Sequence, residues 1–215
     1  MTDVTQEMLD AFAADCRKAA GYGLMQCSSG NMSKRIAADL MLISSTRSWM
    51  AELRSDQIVV CRIADGAVLN DQRPSVEATF HRGILNTRPD VGCVLHFQSP
   101  YATTLACSCI DDVSFEVIPE IPFYVGPIGF VPYIQPGSPE LAEAVIETIR
   151  IHDLAILQNH GMVSVGEHPN DAIQKAVFFE LACGIILRAR ERIRPLESET
   201  ASALYQAGRS AHGKV

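Results

Sequence analysis

The sequence predicts one α/β domain in which helices cover a central sheet. Three observations carry this. The 215 residues suffice for one substantial core. Helical and strand periodicities alternate along the chain. No linker or repeat divides it, so residues 1–215 are read as a single domain. From Thr5 to about Ala20, Leu9, Phe12, Cys16 and Ala20 recur at helical spacing. The segment "GYGLMQCSSGNMSKR" then breaks the helix with glycines and turn-forming polar residues. "LMLISS" reads as a buried strand, and "QIVVCRI" with Asp65-Gly66 and "AVL" reads as a hairpin.

After Pro74, "SVEATFHRGILNTR" shows helical spacing at Val76, Phe80 and Ile84, stopping before the proline of "RPD". "GCVLHF" is the next strand. Ser99 and Pro100 fit the cap and first residue of a helix over "YATTLACS", and Ser138-Pro139 repeat the device before "ELAEAVIETIR". "LAILQNHGMVSVG" reads as two short strands around a turn at 159–161. "DAIQKAVFFELACGIILRARER" is a helix of about six turns.

Composition excludes several classes. With 47% apolar and 20% charged residues the chain is an ordinary globular protein, and no run reaches the ~20 apolar residues of a membrane span. The net charge of −7 argues against a nucleic-acid surface. The first residues are acidic where a secretory leader is basic, so a cytoplasmic location is expected. The seven cysteines, odd in number and without a Cys-x-x-Cys, read as reduced core residues. Trp49 reads as a packed or intersubunit residue.

Three segments can carry chemistry. In "SSGNMSKR", Gly30-Asn31 can present backbone N–H groups to an anion, although such a pair is more often a plain turn. Glu77 and His81 stand one turn apart on a helix face, as two metal ligands can, although surface pairs of this kind are commoner. His96 and Gln98 share a strand face, and His160 sits at a strand-end turn. Each signal alone is weak.

Their order is specific. Gly-Asn-x-Ser near residue 30, Pro-Ser-x-Glu near 75, Arg-Pro-Asp then Val-x-His near 90 and Asn-His-Gly near 160 resemble the class II aldolase/adducin family, most nearly its L-fuculose-1-phosphate aldolase-like members. The resemblance runs from the first helix to the long last one. It implies a three-layer α/β/α fold with a predominantly antiparallel sheet, a C4 homotetramer, and a divalent metal, usually zinc. It implies a metal-dependent lyase cleaving a ketose 1-phosphate. It places the family's glutamate, ligand or base, at Glu77, and metal-binding histidines at His96 and His160. Its phosphate pocket maps to Ser29, Gly30, Asn31, Thr46 and Ser75, with Arg47 in the place of a glycine and Val76 in the place of a serine.

Gln98 occupies the position of a second His in the family's His-x-His. Its amide oxygen is a harder, weaker donor, so Zn2+ supported by this residue, or Mn2+ or Co2+, is expected. His81 fits packing better than ligation. A proton donor to the departing aldehyde, in relatives often a tyrosine from the neighbouring subunit, has no motif here; Glu120 and Tyr124 are the candidates, with Tyr205 another. Competing readings are a dehydratase, decarboxylase or epimerase of the same family, and a non-catalytic adducin-head-like assembly module.

Overall fold

A computed structural model describes residues 4–110 and 112–211. Helix α1 (Gln6–Gly21) opens under an N-cap at Thr5, whose hydroxyl accepts from the Met8 N–H, and it buries Phe12, Ala13, Cys16 and Ala19. The sheet strands are β1 (Asn31–Ala37), β2 (Leu40–Ser44), β3 (Ile58–Arg62), β4 (Cys93–Phe97), β5 (Ile128–Val131), β6 (Leu154–Leu157) and β7 (Gly161–Gly166). Their spatial order is β3-β2-β1-β4-β7-β6-β5. Every neighbouring pair is antiparallel except β5 and β6.

The remaining helices are α2 (Ala78–Thr87), α3 (Pro100–Ala106), α4 (Pro139–Ile149), α5 (Pro169–Ala189) and α6 (Ser198–Ala211). Alternation along β4 separates two cores. Cys93, Leu95 and Phe97 join Phe12 of α1, Leu105 of α3 and Phe179 of α5, while Val94 joins Phe80 and Ile84 of α2 and Val145 of α4. The result is the expected α/β/α sandwich with a mostly antiparallel sheet. His96 follows Val94 by two residues and so shares the face covered by α2.

Several elements differ from the sequence reading. The polar run "NMSKR" is not a turn but strand β1, paired between β2 and β4. Hydropathy hides it because Asn31 and Ser33 are buried polar residues whose side chains are hydrogen-bonded beneath α2. Strand β5 and helix α6 are also additions. The face of α6 is made of small residues: Ala201 and Gly208 are buried, and a Cβ at Gly208 would stand 2.1 Å from the Phe123 carbonyl oxygen.

After β3 the hairpin reduces to one bridge, Cys61 with Val68, because the Asn70 side chain pairs with the Val60 N–H and the Ile58 carbonyl instead. Val76 is 65% exposed and lies before the helix, not on its buried stripe. No disulfide links the seven cysteines, as expected, but Cys27, Cys107 and Cys109 are exposed, so only four belong to the core. Trp49 is 51% exposed and does not pack inside its own chain.

At α4, Ser138 caps as expected, accepting from the Leu141 N–H at 3.1 Å. At α3 it does not. Ser99 donates its hydroxyl to Glu180 of α5 at 2.6 Å, and the same carboxylate accepts the Tyr101 and Ala102 N–H groups at 3.0 and 2.8 Å. A carboxylate from the covering helix thus satisfies the first turn of α3 and favours its dipole. Glu180→Ala orphans three donors at once. It is expected to cost about 2 kcal/mol and lower Tm by about 4–8 °C, measured by thermal denaturation; an unchanged Tm would show that solvent replaces this cap.

Candidate metal centre

Three segments converge at one end of the sheet. His96 is the fourth residue of β4 and pairs with Val163 of β7 and Asn31 of β1. His160 lies in the β6–β7 turn, which Asn159 enters with φ +54°, a conformation asparagine tolerates. Glu77 stands immediately before α2, with no capping bond from its side chain. The chain crosses closely here. Gly30 has φ +77°, and a Cβ on it would sit 2.6 Å from the His96 carbonyl oxygen, so a glycine is needed before β1.

The Glu77 carboxylate receives both imidazoles. His160 Nε2 is 3.2 Å from Oε1, and His96 Nε2 is 3.4 Å from Oε2. The three potential ligand atoms lie within 4.8 Å of one another. Exposure falls to 7% at Glu77 and 1% at His96, so the charge is out of bulk water and must be compensated locally.

The hydrogen bonds set the protonation. His96 Nδ1–H donates to the Met162 carbonyl at 2.9 Å, so in the neutral ring the lone pair is on Nε2, aimed at the carboxylate. Burial pulls the His96 pKa down, favouring that neutral form. For Glu77, burial alone would raise the pKa, but the attraction of the facing imidazoles when they are protonated, with the Asn31 amide, outweighs it and draws the carboxyl well below its usual range.

An ionised carboxylate facing an imidazole lone pair at 3.4 Å is repulsive unless a cation lies between them. Two imidazole nitrogens and one carboxylate oxygen, with Nδ1 of His96 fixed by a backbone carbonyl, form a donor set suited to Zn2+ or a similar divalent ion. The residues present therefore fit a metal. Nδ1 of His160 is buried without a protein partner among the described residues.

Behind Glu77 stands a polar cluster. Asn31 Nδ2 donates to Glu77 Oε2 at 2.8 Å and to Ser75 Oγ at 3.0 Å; Ser75 Oγ also accepts the Glu77 N–H at 3.3 Å. Of the two side chains expected to line a phosphate pocket, Asn31 is thus turned onto the carboxylate and Ser75 onto the Asn31 amide and the Glu77 backbone N–H. His81 is bonded through both ring nitrogens, Nε2 to Asn31 Oδ1 and Nδ1 to Ser33 Oγ, so it is not one of the converging imidazoles. Ser33 is the serine of the Gly-Asn-x-Ser motif, which by itself assigns it no role, and only the four-residue spacing from Glu77 marks His81.

The other expected site residues fall into two places. Thr46 donates its N–H to the Arg73 carbonyl at 3.0 Å, and Ser45 bridges to Pro74, so the turn after β2 runs beside the segment leading to Ser75 and Glu77. Arg47, in that turn, is exposed and has φ +61°, the left-handed backbone for which a glycine is the usual choice. Ser29 closes the preceding loop, its hydroxyl accepting from the Gln26 N–H at 2.9 Å. Gln98 lies one residue past the end of β4, and its Cγ and His96 Cε1 both border the space over Gly161. Its N–H donates to the Leu24 carbonyl, and its Cγ packs on Gly161, beside His160 in the chain.

Tyr124 is elsewhere. With Arg88, Asp153, Glu167, Lys175 and Tyr205 it lines a groove of about 930 Å³ next to Gly166, which pairs with Cys93 at the opposite end of β4. That end is roughly 13 Å along the strand from Phe97. Glu120 caps the π-helical turn (Ile121–Val125) that carries Tyr124. Tyr205 donates its hydroxyl to Glu116 at 2.8 Å. Within one chain the structure brings none of these three to Glu77.

Comparison with known proteins agrees with this architecture. Residues 10–187 match the model of the Class II Aldolase and Adducin N-terminal domain. The chain is 30% identical over 175 residues to 3-oxo-tetronate 4-phosphate decarboxylase of Haemophilus influenzae, covering 80% of this chain and 82% of that protein. It is 32% identical over 169 residues to 5-methylthioribulose-1-phosphate/5-deoxyribulose-1-phosphate aldolase of Rhodospirillum rubrum, covering 76% and 73%. The fold superposes on an L-fuculose 1-phosphate aldolase structure with a TM-score of 0.82 at 21% identity, covering 94% of this chain and 96% of the other. No helix of the described residues is long and apolar enough to cross a membrane. The chain belongs to the class II aldolase and adducin family.

Proposed function

We propose that the protein is a divalent-metal-dependent lyase that cleaves a C–C bond in a ketose 1-phosphate, such as L-fuculose 1-phosphate, to dihydroxyacetone phosphate and an aldehyde. The observation that carries this reading is the buried Glu77 carboxylate facing His96 and His160 at 3.4 and 3.2 Å. Glu77, His96 and His160, with the Gln98 amide as further donor, would hold a divalent ion, Zn2+ before Mn2+ or Co2+, and such an ion would supply Lewis acidity.

The protein groups account for the rest. Cleavage releases a hydroxyl proton as the aldehyde carbonyl forms, and the electron pair of the broken bond stays on the dihydroxyacetone phosphate carbon. Glu77, ionised at rest, is placed to accept a proton and return it to that carbon. The loop at Ser29 and Gly30 and the turn at Thr46, with the Ser75 region and the Arg47 side chain, bind the phosphate. Because Tyr124 and Glu120 do not join the centre of their own chain, they reach one only from a second copy of the chain, as in a homotetramer. The working unit is then a cytoplasmic oligomer of one domain spanning residues 1–215.

A second reading, decarboxylation of a phosphorylated keto acid, is favoured by two observations. Arg47 adds a cation where the family pattern has a glycine, which suits a substrate bearing a carboxylate as well as a phosphate. Tyr124 and Tyr205 do not join the Glu77 group of their own chain, and carbon dioxide departs without a hydroxyl proton having to be removed. Both reactions leave the same enediolate, so the fold alone does not choose between them.

Parallel assays separate the readings. Dihydroxyacetone phosphate release from L-fuculose 1-phosphate and 5-methylthioribulose 1-phosphate is compared with carbon dioxide release from 3-oxo-tetronate 4-phosphate. Activity should vanish with a chelator and return with Zn2+, Mn2+ or Co2+. Aldehyde formation supports the first reading and carbon dioxide alone the second. Turnover that survives complete metal removal contradicts both.

A further inference from the structure

His81 is completely buried, stacked on Phe80 with ring centroids 4.7 Å apart, and outside the group that converges on Glu77. A packing role explains its burial but not its polar partners. A carboxylate only accepts hydrogen bonds, so the Asn31 group facing Glu77 Oε2 at 2.8 Å is the amide NH2. The Asn31 oxygen then faces His81 Nε2, which must carry the proton. A neutral ring has one N–H, so Nδ1 is an acceptor and the Ser33 hydroxyl, 2.8 Å away, donates to it. The ring is completely buried, which disfavours its charged form. Reversing the Asn31 amide would set oxygen against the carboxylate and NH2 against the His81 N–H. The series Ser33–His81–Asn31–Glu77 therefore has a single consistent direction.

We propose that His81 is a positioning residue of the metal centre: its Nε2–H locks the Asn31 amide, and that amide holds the Glu77 carboxylate in register with His96 and His160. This rests on reading Glu77, His96 and His160 as metal ligands. The same geometry assigns Ser33 to fixing the His81 tautomer, so the supporting shell is built from β1 and the first turn of α2.

The test pairs two substitutions of opposite chemistry with a spectroscopic readout. Gln at this position keeps an N–H donor near Nε2, whereas Leu fills similar space without one. Metal-free protein is titrated with Co2+ and followed by visible absorption. His81→Gln should bind within about threefold of wild type, whereas His81→Leu should bind roughly 10–100-fold more weakly. Imidazole ¹⁵N shifts of the wild-type protein, which need no variant to fold, should show the Nε2–H tautomer at His81. A Nδ1–H tautomer overturns the proposal, as does equal weakening by Gln and Leu, or Leu binding Co2+ as wild type does. Wild-type protein that binds no Co2+ rejects the metal centre itself, whereas Co2+ binding insensitive to His81→Leu rejects only the positioning role.

Discussion

The burial of one carboxylate organises this end of the molecule. Glu77 is 7% exposed, and an ion taken from water at that depth costs several kcal/mol unless its surroundings replace the lost hydration. Three elements meet it at once: the Asn31 amide of β1 donates to the carboxylate, and the imidazoles of β4 and of the β6–β7 turn face it across a gap that suits a cation. Each depends on sheet order, because β1 and β7 flank β4 and so bring Asn31 and the β6–β7 turn beside His96. A register slip of one residue would turn His96 to the opposite core.

The same constraint explains features that are costly elsewhere. Gly30 accepts a left-handed backbone because the chain passes within Cβ distance of the His96 carbonyl. Buried Ser33 and His81 are tolerated because they satisfy each other and Asn31. The far end of the sheet has a different character. There Arg88 and Lys175 pair with Asp153, and Tyr124 faces the groove. The two ends of β4 thus carry separate polar assemblies.

Much of the fold was legible because apolar periodicity reports burial. The stripe of α1, the strands β2, β4, β6 and β7, and the length of α5 follow from it. It failed where polar groups or small residues occupy buried faces. β1 lacks an alternating apolar pattern because Asn31 and Ser33 point at the site, and α6 docks through Ala201 and Gly208. The cap of α3 was hidden because Glu180 is 81 residues away from Ser99 in sequence. At the site, the order of short motifs pointed to Glu77, His96 and His160, which the fold brings together. The direction of the Asn31 side chain, toward the carboxylate, was not readable from a Gly-Asn pair. Nor was the distance of Tyr124 from its own chain's centre, which depends on sheet connectivity.

The central claim is that Glu77, His96 and His160 form a divalent-metal site. Elemental analysis of wild-type protein and of Glu77→Ala, both purified without chelator and dialysed against Zn2+ at equal concentration, tests it most directly. The account predicts close to one ion per wild-type chain and a large loss in the variant. A metal-free wild type, or a variant that retains the full complement, would contradict it.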